Sequence, residues 1–535
     1  MDFDALTYKY PSRRHVIYAK KGIVAASQPL AAQAGLEMLK KGGNAIDAAI
    51  ATATCLTVVE PTSNGVGGDA FALIWTGGKL YGLNASGPAP REISAEIIKN
   101  KGYDSIPKYG WIPVTVPGAP SAWAELSKRF GRLPLSEVMK PAIEYAAEGY
   151  PVSPVISKLW NKAFITFRSR FKGEEFKHWF STFTPKGTPP KAGEIWRSEA
   201  LARTLQSIAD TYADSFYHGD LCDKIDTFSR QHGGYLRKWD LENYKPEWVE
   251  PVSINYKGYD IWEIPPNGHG IVALMALNIL SGFDFRDNED IETVHRQIEA
   301  MKLAYVDGQK YIADPRKMSV KTSALLSKDY AAERRNLIGS KALIPEAGQP
   351  PKGGTVYLAA ADGEGNMISY IQSNYMGFGS GLVVPDTGIS LHNRGCNFTL
   401  DQDHDNCIEP LKKPYHTIIP GFLTKGGKPV GPFGVMGGFM QPQGHVQVIM
   451  NTVDFHMNPQ AALDAPRWRW VEDKKVYIEK GFSKKVVDAL IDKGHDIEVV
   501  SDESSFGRGQ IIWVNQEGTL CGGTEPRADG AIASW

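Results

Sequence analysis

The feature that most constrains the fold is an abrupt change of pattern just before residue 355. Residues 342–354, Ala-Leu-Ile-Pro-Glu-Ala-Gly-Gln-Pro-Pro-Lys-Gly-Gly, are rich in proline and glycine, which break the periodicity of helices and strands. Two short strand-like runs follow at 355–361 and 367–373, joined by the turn sequence Asp-Gly-Glu-Gly-Asn at 362–366. The pattern predicts a boundary near residue 354 and a β-hairpin immediately after it.

Helix signals flank this hairpin on both sides in the sequence. Ser27 is predicted to cap a first helix, which the pair Gly42-Gly43 ends, and Asn44 is predicted to cap a second. The second helix, from Ala45 to about Val58, is almost wholly alanine and aliphatic, so it is predicted to be buried on all sides. Further helices are predicted at 120–130, 292–306, 441–452, 458–464 and 483–493, and strands at 428–436 and 509–514. This mixture predicts sheets covered by helices.

The charge balance excludes several classes of partner. Lysine plus arginine total 59 against 60 aspartate plus glutamate, so no net positive field attracts nucleic acid or an anionic membrane. The run Arg467-Trp468-Arg469-Trp470 is interpreted as packing around arginine stems rather than as a base-stacking patch. No apolar run reaches the ~18 residues of a spanning helix, and the first residues lack the features of a secretion signal. A cytoplasmic protein is expected.

Neither a metal nor a cofactor is expected. The five cysteines lie far apart without C-x-x-C spacing and are expected to be reduced thiols, and the 12 histidines form no H-E-x-x-H cluster. The glycine-rich stretches at 65–68 and 377–381 lack the Gly-Lys-Ser/Thr ending of a phosphate-binding loop, so close packing of backbones is the preferred interpretation.

The residues around the predicted boundary suggest self-cleavage. Thr355 follows the flexible pair Gly353-Gly354 and opens the hairpin, so its hydroxyl can approach the carbonyl of Gly354 without a bulky side chain in the way. A cut at Gly354-Thr355 frees an α-amine with an unperturbed pKa of about 7.7 to 8.0. That amine can act as general base for the hydroxyl of the same residue.

Several short sequence blocks lie along nearly the whole chain. They are Gly42 to Ala49, Glu60 to Asp69, Gly354-Thr355 with its hairpin, Phe378 to Gly381, Gly437-Gly438, Ala465-Pro466-Arg467 and Glu525-Pro526-Arg527. In order and spacing these blocks together resemble the γ-glutamyltranspeptidase family of N-terminal-nucleophile hydrolases, with the resemblance weakest from about 150 to 250.

The resemblance implies an α/β (α+β) fold, a four-layer α/β/β/α sandwich formed by both halves of a self-cleaved precursor. The large subunit would be 1–354 and the small subunit 355–535, together one compact catalytic unit. Thr355 would be the nucleophile, and Ser373 matches the family's threonine that hydrogen-bonds the nucleophile and assists cleavage. Gly437 and Gly438 match the pair whose backbone N–H groups form the oxyanion hole.

The substrate-binding positions depart from the family pattern. The family's asparagine two residues beyond the assisting hydroxyl falls on Tyr375, although Asn374 stands beside it, and the family's glutamine falls on Arg394. The acidic residue that binds the α-ammonium of a γ-glutamyl group falls on Asn397, and an amide offers an ammonium no full charge. Specificity is therefore expected to shift.

The groups expected to hold the substrate α-carboxylate also differ. Two consecutive serines of the family fall on His416 and Thr417, so one hydroxyl remains. The family's arginine near the start of the chain falls on Ala95. Either Arg91, close by in sequence, or Arg394 is expected to replace it.

These residues lead to three functional expectations. The first is hydrolysis or transfer of γ-glutamyl groups of glutathione-like substrates through an acyl-enzyme on Thr355, with water or an amino acid as acceptor. The alternative is a cephalosporin (glutaryl) acylase-like amidase, and the second alternative is an unprocessed, non-catalytic binding protein. For both enzymatic expectations, the two subunits are expected to stay associated after cleavage. The sequence does not determine the oligomeric state.

Overall fold

In a computed structural model of the chain, the structure describes residues 9, 10, 14–346 and 356–535, with only the backbone of Val356. The strands are β1 (Ile17–Ala19), β2 (Gly22–Ala26), β3 (Asp69–Thr76), β4 (Lys79–Ala85), β5 (Tyr150–Pro151), β6 (Ile195–Trp196), β7 (Glu247–Val249), β8 (Val252–Tyr256), β9 (Tyr259–Glu263), β10 (Val356–Asp362), β11 (Met367–Ser373), β12 (Gly421–Lys425), β13 (Lys428–Met436), β14 (Trp468–Glu472), β15 (Lys475–Glu479), β16 (Asp496–Val500), β17 (Arg508–Val514), β18 (Leu520–Thr524) and β19 (Ala531–Ser534). The α-helices are α1 (Pro29–Lys40), α2 (Ala45–Val59), α3 (Ala95–Asn100), α4 (Ala119–Phe130), α5 (Leu135–Glu148), α6 (Pro154–Arg170), α7 (Lys177–Phe183), α8 (Glu199–Thr211), α9 (Asp214–Tyr217), α10 (Asp220–Gln231), α11 (Lys238–Glu242), α12 (Gly270–Leu280), α13 (Ile291–Tyr311), α14 (Thr322–Leu325), α15 (Lys328–Arg335), α16 (Gln441–Val453), α17 (Pro459–Asp464) and α18 (Lys484–Asp492).

Two seven-stranded antiparallel sheets form the centre of the molecule. One has the order β1-β18-β17-β13-β12-β9-β8 and the other β19-β2-β10-β11-β3-β4-β7. Each sheet contains strands from both sides of residue 355. Neither sheet is therefore complete without both parts of the chain.

The predicted hairpin is confirmed as β10 and β11. Its register pairs Val356 with Gln372 and Ala361 with Met367. Side chains alternate between the two faces of the strand. Tyr357, Ala359 and Ala361 face the core between the two sheets, whereas Leu358 and Ala360 face the helices.

Helices cover the outer face of each sheet. Helices α1 and α2 pack on β2 and β10 of one sheet, and α12 and α16 pack on β8 and β13 of the other. The resulting layers, helix, sheet, sheet and helix, confirm the predicted α/β/β/α sandwich. Within the described residues no helix is both long and apolar enough to cross a membrane.

Helix α2 is buried along its whole length, as its composition predicts. The Asn44 side chain accepts from the amides of Ile46 and Asp47, and the Asp47 side chain accepts in return from the Asn44 amide. The prediction that Ser27 caps α1 is wrong by one residue. The cap is Gln28, because the Ser27 hydroxyl instead donates to Glu60 Oε2 at 2.5 Å.

Two of the sequence blocks meet each other in the core. Arg467 donates to Glu525 Oε2 at 2.9 Å and Arg527 donates to Glu525 Oε1 at 2.6 Å. Arg527 also pairs with Glu479. These buried charges neutralise one another, so the two blocks are joined to each other in the C-terminal part of the fold. All five cysteines are buried and free.

Candidate active site

The glycine-rich stretch at 65–68 allows close packing against the end of β11. A Cβ atom at Gly65 would lie 2.9 Å from Asn374 Nδ2, and one at Gly68 would lie 2.8 Å from the Ser373 carbonyl oxygen. The backbone N–H of Asn374 also donates to the Ser63 carbonyl oxygen at 3.2 Å. Glycine is thus required here so that the segment after β11 can lie against residues 63–68.

The residues at the end of β11 are buried and constrained. Ser373 is 1% exposed, and its hydroxyl oxygen accepts from the Tyr375 amide at 2.7 Å. Tyr375 has a φ of +72°, which is rare for a bulky side chain and marks local backbone strain. Both polar atoms of the buried Asn374 side chain have no partner among the described residues.

Arg394 carries a buried positive charge next to these residues. Its guanidinium lies 4.4 Å from the centre of the Tyr375 ring, and Nη1 donates to Thr417 Oγ1 at 2.5 Å. Nε and Nη2 find no partner in the part of the chain that the structure describes. Burial lowers the pKa of Arg394 to about 10, so the side chain remains charged at neutral pH. An unpaired buried guanidinium is suited to binding a carboxylate.

Asp69, at the start of β3, balances part of that charge. It pairs with Ser373 in the sheet register. Burial raises its pKa to about 7, although the charge of Arg394 and the Gly87 and Gly118 amides act in the opposite direction. Asp69 therefore titrates near neutral pH, which makes the net charge of the site depend on pH.

His416 connects Asp69 to the segment that carries Thr417. The Ile418 amide donates to His416 Nδ1 at 3.3 Å, so Nδ1 bears the lone pair and Nε2 bears the proton. Nε2 then donates to Asp69 Oδ2 at 3.0 Å. Burial keeps the pKa of His416 well below its usual range, with the charge of Arg394 adding to the effect. His416 is thus a neutral positioning group, and its side chain is directed at Asp69.

The predicted oxyanion glycines form the turn that follows β13. Gly437 has a φ of +141° and Gly438 a φ of +58°, conformations that favour glycine. A Cβ atom at Gly437 would lie 3.1 Å from Gly507 Cα and 3.3 Å from Met440 Cβ. Gly437 is partly exposed and Gly438 is buried, so the turn lies where a cleft meets the core.

The remaining predicted binding residues separate into two groups. Asn397 donates from Nδ2 to the Tyr415 carbonyl at 3.0 Å, while its Oδ1 has no partner among the described residues. Arg91 is exposed, and its guanidinium lies 4.9 Å from the centre of the Trp239 ring. The structure therefore directs the Arg91 side chain to the surface. Gly354 and Thr355 lie outside the described residues.

One cluster elsewhere has the composition of a metal site. His295, Glu299 and His495 each offer a ligand atom within 4.8 Å of the others. His295 Nδ1 and His495 Nε2 lie 2.8 Å apart, and Glu299 Oε1 accepts from Lys302 Nζ at 2.7 Å. Most of these ligand atoms already have a partner, since His295 Nε2 also lies 2.9 Å from the Gly339 carbonyl oxygen, and only His495 Nδ1 lacks one among the described residues. A buried lysine, Lys302, already supplies a positive charge beside Glu299. The expectation that no metal is bound stays a prediction.

Comparison with known proteins decides the family. The family profile described as gamma-glutamyltranspeptidase matches residues 31–535. The chain belongs to the gamma-glutamyltranspeptidase family. Within the family it is 37% identical over 528 residues to the glutathione hydrolase-like YwrD proenzyme of Bacillus subtilis strain 168, covering 96% of this chain and 98% of that protein.

Two further proteins are similar along nearly the whole chain. The oxamate amidohydrolase proenzyme of Klebsiella pneumoniae is 32% identical over 531 residues, covering 96% of this chain and 98% of that protein. The crystal structure of cephalosporin acylase from Bacillus halodurans is 61% identical with a TM-score of 0.96, covering 100% of this chain and 99% of that chain. The chain is thus an enzyme of the N-terminal-nucleophile hydrolase class.

Two residues of the site received no role from sequence alone. Asp69 is the last residue of the glycine-rich block, and Asn374 is the neighbour of Tyr375. The signal for Asp69 was a single acidic residue placed directly after two glycines at the start of an apolar strand. Its partner His416 is 347 residues away, a distance that no local pattern reveals.

Proposed function

We propose that the protein is a self-processing amidase that removes acyl groups which end in a carboxylate and carry no α-ammonium, such as glutaryl groups. The observation that carries this proposal is Arg394, a buried guanidinium whose Nε and Nη2 have no partner among the described residues. Thr417 holds it from one side and Tyr375 from the other. A substrate carboxylate would complete its hydrogen bonds.

The neighbouring polar groups favour an acyl chain without an amine. Asn397 stands where the resemblance places an acidic residue, and its free Oδ1 offers an ammonium one hydrogen bond but no charge. An ammonium would also be repelled by Arg394. The Asp69 carboxylate already accepts a hydrogen bond from His416 and is therefore not placed to bind a substrate ammonium.

Processing would begin at the predicted boundary. The Thr355 hydroxyl oxygen attacks the Gly354 carbonyl carbon, the C–N bond breaks, and the nitrogen takes up the hydroxyl proton to become the free amine of Thr355. Water then hydrolyses the ester and leaves Gly354 as a carboxylate. The two subunits, 1–354 and 355–535, remain associated because both sheets contain strands from each of them.

Turnover would repeat this chemistry on the substrate. The Thr355 amine takes the hydroxyl proton, and the oxygen bonds to the substrate acyl carbon while the Gly437 and Gly438 amides stabilise the oxyanion. The amide C–N bond breaks as the proton passes to the departing nitrogen. Water, or an acceptor amine, then releases the acyl group and restores the hydroxyl.

Cleavage of γ-glutamyl amides is the second candidate. It is supported by the family itself and by the similarity to a glutathione hydrolase-like proenzyme. Similarity to a cephalosporin acylase and an oxamate amidohydrolase supports the first candidate, because oxamate is an amide with a carboxylate and no ammonium.

Two substrates with the same leaving group separate these candidates. We expect glutaryl 4-nitroanilide to be cut with a kcat/KM about tenfold or more above that of γ-glutamyl 4-nitroanilide. The ammonium of the γ-glutamyl compound would lack a charged hydrogen-bonding partner in the site, and such a partner is worth about 1.5 to 3 kcal/mol. Asn397→Asp should reverse the preference by offering the ammonium a carboxylate. Equal or better cleavage of the γ-glutamyl compound by the unaltered enzyme would reject the first candidate.

A further inference from the structure

A cleft in the described part of the protein reaches the site at Gly437. It has a volume of about 320 Å³ and lies between helix α6 and residues 504–508. Met376, Gly377, Met436 and Gly437 form its floor. Arg394, Asn397 and Thr417 do not line it. The cleft therefore shares Gly437 with the site but none of these acyl-binding residues.

One wall of the cleft carries a buried cation that is not neutralised. Arg469 is 8% exposed, and its Nη1 donates to the Ser505 carbonyl at 3.2 Å. Its Nε has no hydrogen-bond partner, and no carboxylate lies within ion-pair distance in the described part of the chain. Arg508 lies beside it with Nη1 3.4 Å from Glu60 Oε1 and with Nε also lacking a partner. A buried unpaired guanidinium is costly unless a ligand anion completes it.

Helix α6 contributes apolar side chains and one lysine to the cleft. Leu159, Ala163 and Phe167 of α6 face the cleft. Lys162, on the same helix, is largely exposed and lies 3.8 Å from Asp502 Oδ2. Asp502 is shared with Lys158, at 3.9 Å. Lys162 thus adds a cation to the cleft lining, whereas Lys158 does not line the cleft, and the cleft combines apolar side chains of α6 with cationic side chains.

We propose that this cleft binds the leaving amine of the substrate and selects amines that carry a carboxylate on an apolar body. The inference rests on the proposed function, because it takes Gly437 as the position of the scissile carbonyl. An amide has two sides at that point. The acyl side is directed to Arg394, so the amine side enters the cleft. In transfer reactions the acceptor amine occupies the same place, since it attacks along the path by which the leaving amine departs.

Two amides of equal shape test the inference. Glutaryl-4-aminobenzoate and glutaryl-4-aminobenzamide share the acyl group and the ring and differ in the charge of the leaving amine. We expect kcat/KM to favour the aminobenzoate by about tenfold, the usual effect of a charge-assisted hydrogen bond. Arg469→Gln should bring the ratio close to one. Lys162→Gln, on an exposed residue that cannot disturb the core, should lower it about twofold.

Matched variants control for effects on folding. Lys158→Gln removes the other lysine beside Asp502 without touching the cleft lining, so the ratio should stay as in the unaltered enzyme. Arg469→Lys keeps the charge and should keep part of the preference. A ratio near one in the unaltered enzyme, or a ratio that Arg469→Gln leaves unchanged, would overturn the inference.

Direct binding separates this inference from the proposed function. Calorimetry with free 4-aminobenzoate and 4-aminobenzamide needs no turnover. If neither amide is cut, the proposed function fails. The ratio of the dissociation constants of the two free amines, measured in the unaltered protein and in the same variants, still tests whether the cleft selects a carboxylate. Preferential binding of the aminobenzoate that Arg469→Gln abolishes supports the inference, and equal binding of both amines contradicts it.

Discussion

The guanidinium of Arg394 lies 4.4 Å from the centre of the Tyr375 ring. The ring supports the planar cation from one face, and Thr417 accepts from Nη1. This arrangement leaves Nε and Nη2 available to a ligand. Tyr375 occupies a position where the family resemblance places asparagine. Its aromatic ring therefore adds a contact to the cation that an amide side chain would not supply.

Replacing Arg394 should remove recognition of the acyl carboxylate. For Arg394→Met we expect kcat/KM for glutaryl 4-nitroanilide to fall about tenfold to a hundredfold, from loss of hydrogen bonds worth about 1.5 to 3 kcal/mol. The pentanoyl 4-nitroanilide, which has a methyl group in place of the carboxylate, should lose much less. Steady-state kinetics with both substrates measures this.

Arg91→Gln provides the matched arginine control. Arg91 is exposed and stacks on Trp239, so its loss should leave both substrates unaffected. A large loss of glutaryl cleavage in Arg91→Gln, with none in Arg394→Met, would mean that the wrong arginine has been assigned.

The pKa of Asp69 predicts how carboxylate binding depends on pH. With a pKa raised to about 7 by burial, Asp69 is protonated at pH 6 and ionised at pH 8. At the lower pH the charge of Arg394 is unopposed, so the inhibition constant of glutarate should rise several-fold as the pH increases across this interval. Asp69→Asn should flatten the dependence, since an asparagine oxygen still accepts from His416. Inhibition by glutarate, measured at several pH values, checks this, and a steep dependence that persists in Asp69→Asn would assign the titration to another group.

Gly437→Ala should damage catalysis more than stability. The new Cβ atom would meet Gly507 and Met440 and would disfavour the φ of +141°, so the backbone amide would move. Loss of one oxyanion donor lowers kcat by about a hundredfold or more. Gly426→Ala is the control, because Gly426 also has a positive φ, of +56°, but nothing within 4 Å of the added atom. We expect it to cost about 1 kcal/mol of stability with no change in kcat. Equal effects of both substitutions on kcat would contradict the assignment.

Local patterns predicted much of the fold. The hairpin of β10 and β11 and the buried helix α2 depend on turn residues, caps and alternation within a few residues. The cap at Gln28 was missed because a glutamine seldom takes this role and Ser27 has a distant partner in Glu60. Such a contact depends on the tertiary fold and is invisible in the local sequence.

The sequence predicted individual residues of the site but not how their side chains are arranged in space. Arg394 and Asn397 could be assigned from the family pattern. The sequence could not choose between Arg91 and Arg394 as the carboxylate-binding residue, because only the tertiary fold determines which side chain is directed into the site and which to the surface. The run around Trp468 was interpreted as packing. This holds for Arg467, which pairs with Glu525, but Arg469 lines a cleft. In the cleft Arg469 donates to the Ser505 carbonyl and shares the lining with Arg508, contacts that depend on a segment about 36 residues further along the chain.

The whole mechanism depends on self-cleavage before Thr355, which intact-mass analysis and N-terminal sequencing of the purified protein can detect. We expect two fragments, 1–354 and 355–535, the second beginning Thr-Val-Tyr, and a single uncut chain for Thr355→Ala. An active preparation that remains one chain, or a small fragment that begins at another residue, would contradict it.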